Sequence, residues 1–238
     1  MEFEFELRCT RGDGDDSFRI EAPLARLKEG EILALTGPSG SGKSTLLEIL
    51  GLVLEPERGS RFVWQTEAGA ISLDIADLWS QRKERVLCEL RAHRLGFVLQ
   101  SGGLIPFLSV RENIALPRLL AGMAGWADSV DTLIEKLGIG HLLAKKPYQL
   151  SLGERQRTSI ARAMAHEPPL LLADEPTAAL DPARAEAVMK LLVKLVGERQ
   201  GMAVIVTHDR DLIRRLGLRE MRAHLRDDSK AAVFSHAS

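Results

Sequence analysis

The chain has 238 residues, enough for one large α/β domain, or a core with a smaller inserted subdomain, around a substantial apolar interior. Its 32 Lys+Arg against 33 Asp+Glu leave a net charge of −1, which speaks against a general electrostatic attraction to nucleic acid. The two cysteines, Cys9 and Cys88, stand far apart outside any C-x-x-C spacing; this argues against a disulfide framework or zinc site, fits a reducing compartment, and reads both as plain apolar residues.

Met1 to Leu7 alternates acidic and apolar residues, as an edge strand does, and lacks the basic start and apolar stretch of a secretion signal. No apolar run approaches the ~18 residues that span a bilayer, so the expectation is a cytosolic polypeptide that reaches a membrane only through a partner.

The apolar run Ile32 to Leu35 then feeds Gly37-Pro38-Ser39-Gly40-Ser41-Gly42-Lys43-Ser44-Thr45, which fits the phosphate-binding pattern G-x-x-x-x-G-K-[ST] and leads into a helical run to Leu50. The chemistry explains the pattern. Glycines let the backbone wrap a phosphate with its N–H groups inward, and the helix N-terminus adds partial positive charge. Lys43 reaches the β- and γ-phosphates, and the Ser44 hydroxyl holds Mg²⁺.

Arg61 to Trp64 and Ala70 to Leu73, separated by a Thr66 to Gly69 turn, read as a β-hairpin. A charged helical stretch follows from Ala76 to about Arg94. Leu95 to Leu99 is a short strand that delivers Gln100 at its end. Ser109 with Glu112 is a capping box opening a helix that Pro117 is expected to end or kink. Val130, Leu133, Ile134 and Leu137 form an amphipathic stripe that Gly138 stops.

Leu170 to Ala173 is a buried strand ending in Asp174-Glu175. Asp181-Pro182 caps a helix with the stripe Val188, Leu191, Leu192 and Leu195, and Ala203 to Val206 is a last buried strand ending near His208. Apolar strands without alternation, interleaved with helices, imply a largely parallel sheet covered on both faces, with ligands beyond the strands' carboxyl ends. Asp174 suits a metal ligand through water, and Glu175 a general base. Gln100 and His208 mean little singly and gain value from this company.

The ordered set of phosphate loop, Gln100, Leu150-Ser151-Leu152-Gly153-Glu154-Arg155-Gln156-Arg157, Asp174-Glu175, Ala179-Leu180-Asp181 and His208 resembles the ATP-binding subunits of ABC transporters over nearly the whole chain. Residues 95–100, 104–106 and 111–117 look like the branch of lipoprotein-release, macrolide-export and cell-division ATPases. The resemblance implies an α/β P-loop NTPase fold with a RecA-like core, an N-terminal antiparallel β subdomain and an inserted helical subdomain. It is one domain over 1–238: core and β subdomain at 1–100 and 158–238, helical subdomain at 101–157.

It further implies a homodimer sandwiching Mg-ATP between one copy's phosphate loop and the other's signature residues Ser151, Gly153 and Glu154. Locally, Ser151 and Glu154 are a capping box, and that helix N-terminus is itself an anion site. By the same resemblance Gln100 contacts Mg²⁺ or the attacking water, His208 contacts the γ-phosphate, Asp181 works across the interface, and separately encoded permease subunits provide the membrane path on the inner face of the cell membrane.

Two positions depart from the family. Leu152 replaces the first signature glycine, which crowds the γ-phosphate and predicts slow hydrolysis. Relatives stack an aromatic ring on adenine near Thr10 and Arg11, leaving the Arg11 guanidinium or Phe18 to do so here. The reading is thus an ATPase powering a permease for lipoprotein, lipid or drug export. A mechanotransmission module that moves no substrate has the same engine. A soluble ABC protein acting on DNA or ribosomes usually carries a long coiled coil or two cassettes, and this chain has neither sustained heptads nor a second phosphate loop.

Overall fold

The computed structural model describes residues 1–14, 17–65, 72–123, 126–178, 180–226 and 230–237. Its strands are β1 (Glu2–Arg11), β2 (Phe18–Lys28), β3 (Ile32–Thr36), β4 (Arg61–Gln65), β5 (Ser72–Asp74), β6 (Leu95–Val98), β7 (Leu170–Asp174), β8 (Met202–Val206), β9 (Arg219–Leu225) and β10 (Ala231–His236). They form one sheet in the order β5-β4-β1-β2-β10-β9-β3-β8-β7-β6. Its helices are α1 (Lys43–Leu50), α2 (Ile75–Ser80), α3 (Glu84–Arg94), α4 (Val110–Leu120), α5 (Asp128–Leu137), α6 (Leu152–Met164), α7 (Pro182–Glu198) and α8 (Arg210–Arg215).

The sheet is mixed. β6, β7, β8, β3 and β9 run parallel. The β5-β4-β1-β2 arm is antiparallel and joins the rest through β10, which is parallel to β2 and antiparallel to β9. In the parallel half the period of two sorts side chains between two cores. Leu33, Leu35, Leu170, Leu172, Val204 and Val206 share one with α1, while Ala34, Leu171, Ala173, Ala203 and Ile205 share the other with α4 to α7. Both faces are covered, so these strands read as continuous apolar runs.

β1 is not an edge. It lies between β2 and β4, because alternation reports that one face is buried and says nothing about how many neighbours the strand has. Phe3, Phe5, Leu7 and Cys9 fill the core, and the buried Glu4 carboxylate is held by Arg26 of β2 and Arg61 of β4. The edges are β5 and β6. β4 and β5 pair antiparallel, as a hairpin requires, but its turn, with Ala70 and Ile71, lies outside the described residues.

The charged helix splits into α2 and α3 at Arg82, whose φ of 53° lies in the left-handed region. Pro117 neither ends nor breaks α4. The capping box at Ser109 secures its start, Val110, Asn113, Ile114 and Arg118 are buried on either side of the proline, and the Ala121 N–H donates to the Pro117 carbonyl at 2.9 Å. Packing on both sides offsets the lost backbone bond. α5 and α7 carry their expected stripes, Leu191 being only half-buried, and α7 begins at the Asp181 N-cap. Cys9 is a core residue whereas Cys88 is exposed. No helix among the described residues is long and apolar enough to cross a membrane.

Candidate active site

β3 ends at the buried Thr36, and the loop from Gly37 to Gly42 turns the chain into α1. Gly37 has φ 140°, and a Cβ there would stand 2.8 Å from the Ala223 Cβ and 2.9 Å from its carbonyl oxygen, so backbone approaches backbone where only glycine fits. Gly42 caps α1 in the left-handed region, with no side-chain cap and no acidic residue in the first turn. The helix's first N–H groups and its dipole thus stay available to an anion.

The Lys43 ammonium is buried and donates to the carbonyls of Gly37 at 3.1 Å and Pro38 at 2.7 Å. Burial pulls its pKa below the ordinary lysine range, against the opposing pull of the nearby Glu175 and Asp174 carboxylates. Those two carboxylates leave the end of β7. Glu175 carries φ 44°, an unfavourable value for a side-chain-bearing residue, fixed because its N–H donates to the Val206 carbonyl at 3.0 Å and its own carbonyl accepts from Ala178 at 3.2 Å. That conformation brings its carboxylate between two other predicted site residues. One oxygen pairs with His208 Nε2, and the other accepts from Gln100 Nε2 at 3.4 Å.

These residues open on a cleft of about 520 Å³, lined by Ser39, Gly40, Gly42, Lys43, Ser44 and Thr45 with Gln100, Glu175 and His208. Its outer wall is Arg11, Phe18 and Ile20 of β1 and β2. Arg11 and Phe18 are register partners, so both stacking candidates face the cleft, while Thr10 is not among its lining residues. Ile20 was not legible as a site residue; it lies under Gly42, where a Cβ would come within 2.4 Å of its Cδ1.

Three oxygen-bearing side chains come from this one end of the sheet: the Ser44 hydroxyl, the Gln100 amide and the Asp174 carboxylate. Hard oxygen donors of this kind fit Mg²⁺ that is bound largely through phosphates, and the glycine cradle with an uncapped helix start fits a polyphosphate.

The remaining predicted residues do not reach this cleft within one chain. Ser151 caps α6, its N–H donating to Glu154 Oε2 at 2.7 Å and its Oγ accepting from the Glu154 N–H at 3.4 Å. The Ser151 N–H first, and its hydroxyl next, stabilise the Glu154 carboxylate and hold that carboxyl below the usual range. Leu152 at the first helical position is 49% exposed beside Gly153, so a branched apolar side chain stands at the helix mouth. Asp181 accepts from the Arg184 N–H at 3.1 Å as the cap of α7, and its neighbour Ala179 lies outside the described residues.

The segment after Gln100 is tied down. Arg162 of α6 donates to the Gly103 carbonyl at 2.5 Å, and the buried Asn113 amide accepts from the Ile105 N–H at 2.8 Å while its Nδ2 lies 3.0 to 3.2 Å from the carbonyls of Ile105, Leu108 and Ser109.

The chain is similar to known proteins over most of its length. The family described as ABC transporter matches residues 24–178. A lipoprotein-releasing system ATP-binding protein LolD from Legionella pneumophila (strain Paris) is 42% identical over 192 residues, 80% of each chain. Its counterpart from Paramagnetospirillum magneticum is 40% identical over 211 residues, 88% of each. Among solved structures, a dimeric post-hydrolysis state of the ATP-binding cassette MJ0796 bound to ADP and Pi superposes with a TM-score of 0.75 at 34% identity, covering 93% of this chain and 94% of that one.

Proposed function

Since the chain belongs to the ABC transporter family and is an ATPase with that family's cassette fold, we propose that two copies of it close around Mg-ATP and that its hydrolysis powers a separately encoded permease. The phosphate-loop N–H groups and Lys43 hold the β- and γ-phosphates. Mg²⁺ would be held by Ser44, Gln100 and Asp174, where it neutralises phosphate charge. Glu175 takes a proton from the water that attacks the γ-phosphorus. The bond to the β–γ bridging oxygen breaks, releasing ADP and inorganic phosphate. His208 and Gln100 fix the Glu175 carboxylate, and His208 also contacts the γ-phosphate.

The second copy contributes Ser151, Gly153 and the α6 N-terminus, with Glu154 keeping Ser151 in its capping geometry and Asp181 at the interface. In this reading residues 101–157 are a helical arm on the α/β core. Arg11 or Phe18 stacks on the base.

The observation that carries the reading is the Glu175 carboxylate, held in a left-handed backbone conformation between Gln100 and His208 at the rim of the phosphate loop. Glu175→Gln is expected to lower ATP turnover by about 10²- to 10⁴-fold while ATP remains bound, read by phosphate release beside equilibrium nucleotide binding. Unchanged turnover removes Glu175 from the role of base.

The permease contact is assigned to a groove of about 440 Å³ whose walls include Leu116 and Leu120 of α4, Phe97 of β6, Arg91 of α3 and Arg162 of α6. It combines an apolar wall, on which Leu120 is 70% exposed, with two guanidinium groups, which suits an amphipathic segment bearing a carboxylate. The names of the relatives, lipoprotein-releasing system ATP-binding proteins, support lipoprotein as the cargo class. The protein then sits peripherally on the cytoplasmic face of the membrane, touches it through the permease, and engages no nucleic acid.

A further inference from the structure

A largely covered carboxylate on β9, 184 residues along the chain from the entry to the phosphate loop, takes no part in the reading above. Glu220 Oε1 accepts from Thr36 Oγ1 at 2.5 Å and from Arg210 Nε at 2.9 Å, and its side chain is only 9% exposed. Thr36 is completely buried and immediately precedes Gly37. Arg210 opens α8, two residues after His208, and its N–H donates to the His208 carbonyl at 3.1 Å.

The same strand meets the loop a second time, where the Ala223 backbone leaves no room for a Cβ on Gly37. β9 therefore carries one acid that bonds both the stem of the phosphate loop and the segment presenting His208. A carboxylate withdrawn from water is retained at little cost only when donors replace its hydration, and here two donors from different functional segments converge on one of its oxygens.

We propose that Glu220 is a positioning residue for the γ-phosphate site: the Thr36–Glu220–Arg210 brace fixes the His208 segment against the phosphate loop, and so sets the alignment of His208 and Glu175 over the scissile bond. This rests on the role given to His208 above. The brace touches neither nucleotide nor the reacting atoms, so its loss is felt in turnover rather than in ground-state binding.

Glu220→Gln keeps the volume and an acceptor but removes the charge that holds Arg210; Thr36→Val keeps the shape of Thr36 and removes its hydroxyl; Thr36→Ser restores a hydroxyl. All are measured as full-length protein, per ATP-binding site titrated with a fluorescent ATP analogue, so that unfolded material does not count. Glu220→Gln and Thr36→Val are each expected to lower kcat by about ten-fold with KM for ATP within about two-fold, Thr36→Ser to recover most of the loss, and the double variant to fall little below either single one.

The inference is overturned if kcat per titrated site stays within about two-fold of wild type, if KM rises while kcat holds, or if the two losses multiply. His208→Ala, assayed alongside, separates the two levels. Retained turnover there removes the role of His208 and this inference with it. Loss of turnover there with full activity in Glu220→Gln removes this inference alone.

Discussion

Gly96 on β6 is packed so closely against α6 that one methyl group tests whether the signature end is held by the sheet. A Cβ at Gly96 would stand 2.2 Å from the Ala163 carbonyl oxygen and 2.8 Å from the Pro168 ring. Restoring even 3.0 Å requires the C-terminal part of α6 to withdraw by about 0.8 Å, and the obstacle is backbone, which has no rotamer to escape into. Overpacking of this kind costs about 1 to 3 kcal/mol, which for a domain of this size lowers the melting temperature by about 2 to 12 °C. Because α6 carries Ser151 and Gly153 at its other end, Gly96→Ala should also misplace the signature residues and lower kcat by about 10- to 100-fold. Binding of ATP to the chain's own loop, which Gly96 does not line, should stay within about two-fold of wild type. The assay is differential scanning calorimetry with steady-state phosphate release. A melting temperature lowered as stated with kcat unchanged refutes the link from β6 to the signature; an unchanged melting temperature refutes the packing argument itself.

Two further outcomes follow from single residues. Leu152→Gly removes the exposed side chain at the mouth of α6 and should raise kcat several-fold, despite about 1 kcal/mol of lost helix propensity; a kcat at or below that of wild type shows that Leu152 does not obstruct the γ-phosphate. Burial holds the His166 pKa below the ordinary value of ~6.5, although its hydrogen bond to the Leu95 carbonyl at 2.9 Å acts in the opposite sense. The folded state thus resists a proton that the unfolded chain accepts, and stability is lost as pH falls below about 6.5. Between about pH 7.5 and pH 5.5, His166→Gln should lose less melting temperature than wild type, and equal slopes would show that His166 does not carry the effect.

What the sequence made legible was whatever depends on short stretches of chain. The turn from β3 into α1 needs glycines at fixed positions, the capping boxes at Ser109 and Ser151 need residues three apart, and the stripes of α5 and α7 need only the helical period. Arg82 adopts a left-handed conformation that nothing in its own side chain announces, so one helix became two. The position of β1 within the sheet depends on β4, which returns to it only after the phosphate loop and α1, and alternation could not report that second neighbour. β9 and β10, which join the antiparallel arm to the parallel half, carry no motif. The brace from Thr36 through Glu220 to Arg210 was invisible for the same reason: a threonine, a glutamate and an arginine acquire meaning only once β9 lies beside β3.

The Asn113 amide has a mechanical consequence. A lone planar group, sealed from solvent, grips both ends of the turn from Ile105 to Ser109, so that stretch behaves as a strut and not as a slack tether. The aromatic ring of Phe107, 76% exposed, projects from its middle. The ring is thus mounted on a stretch whose two ends share one anchor, next to the start of α4.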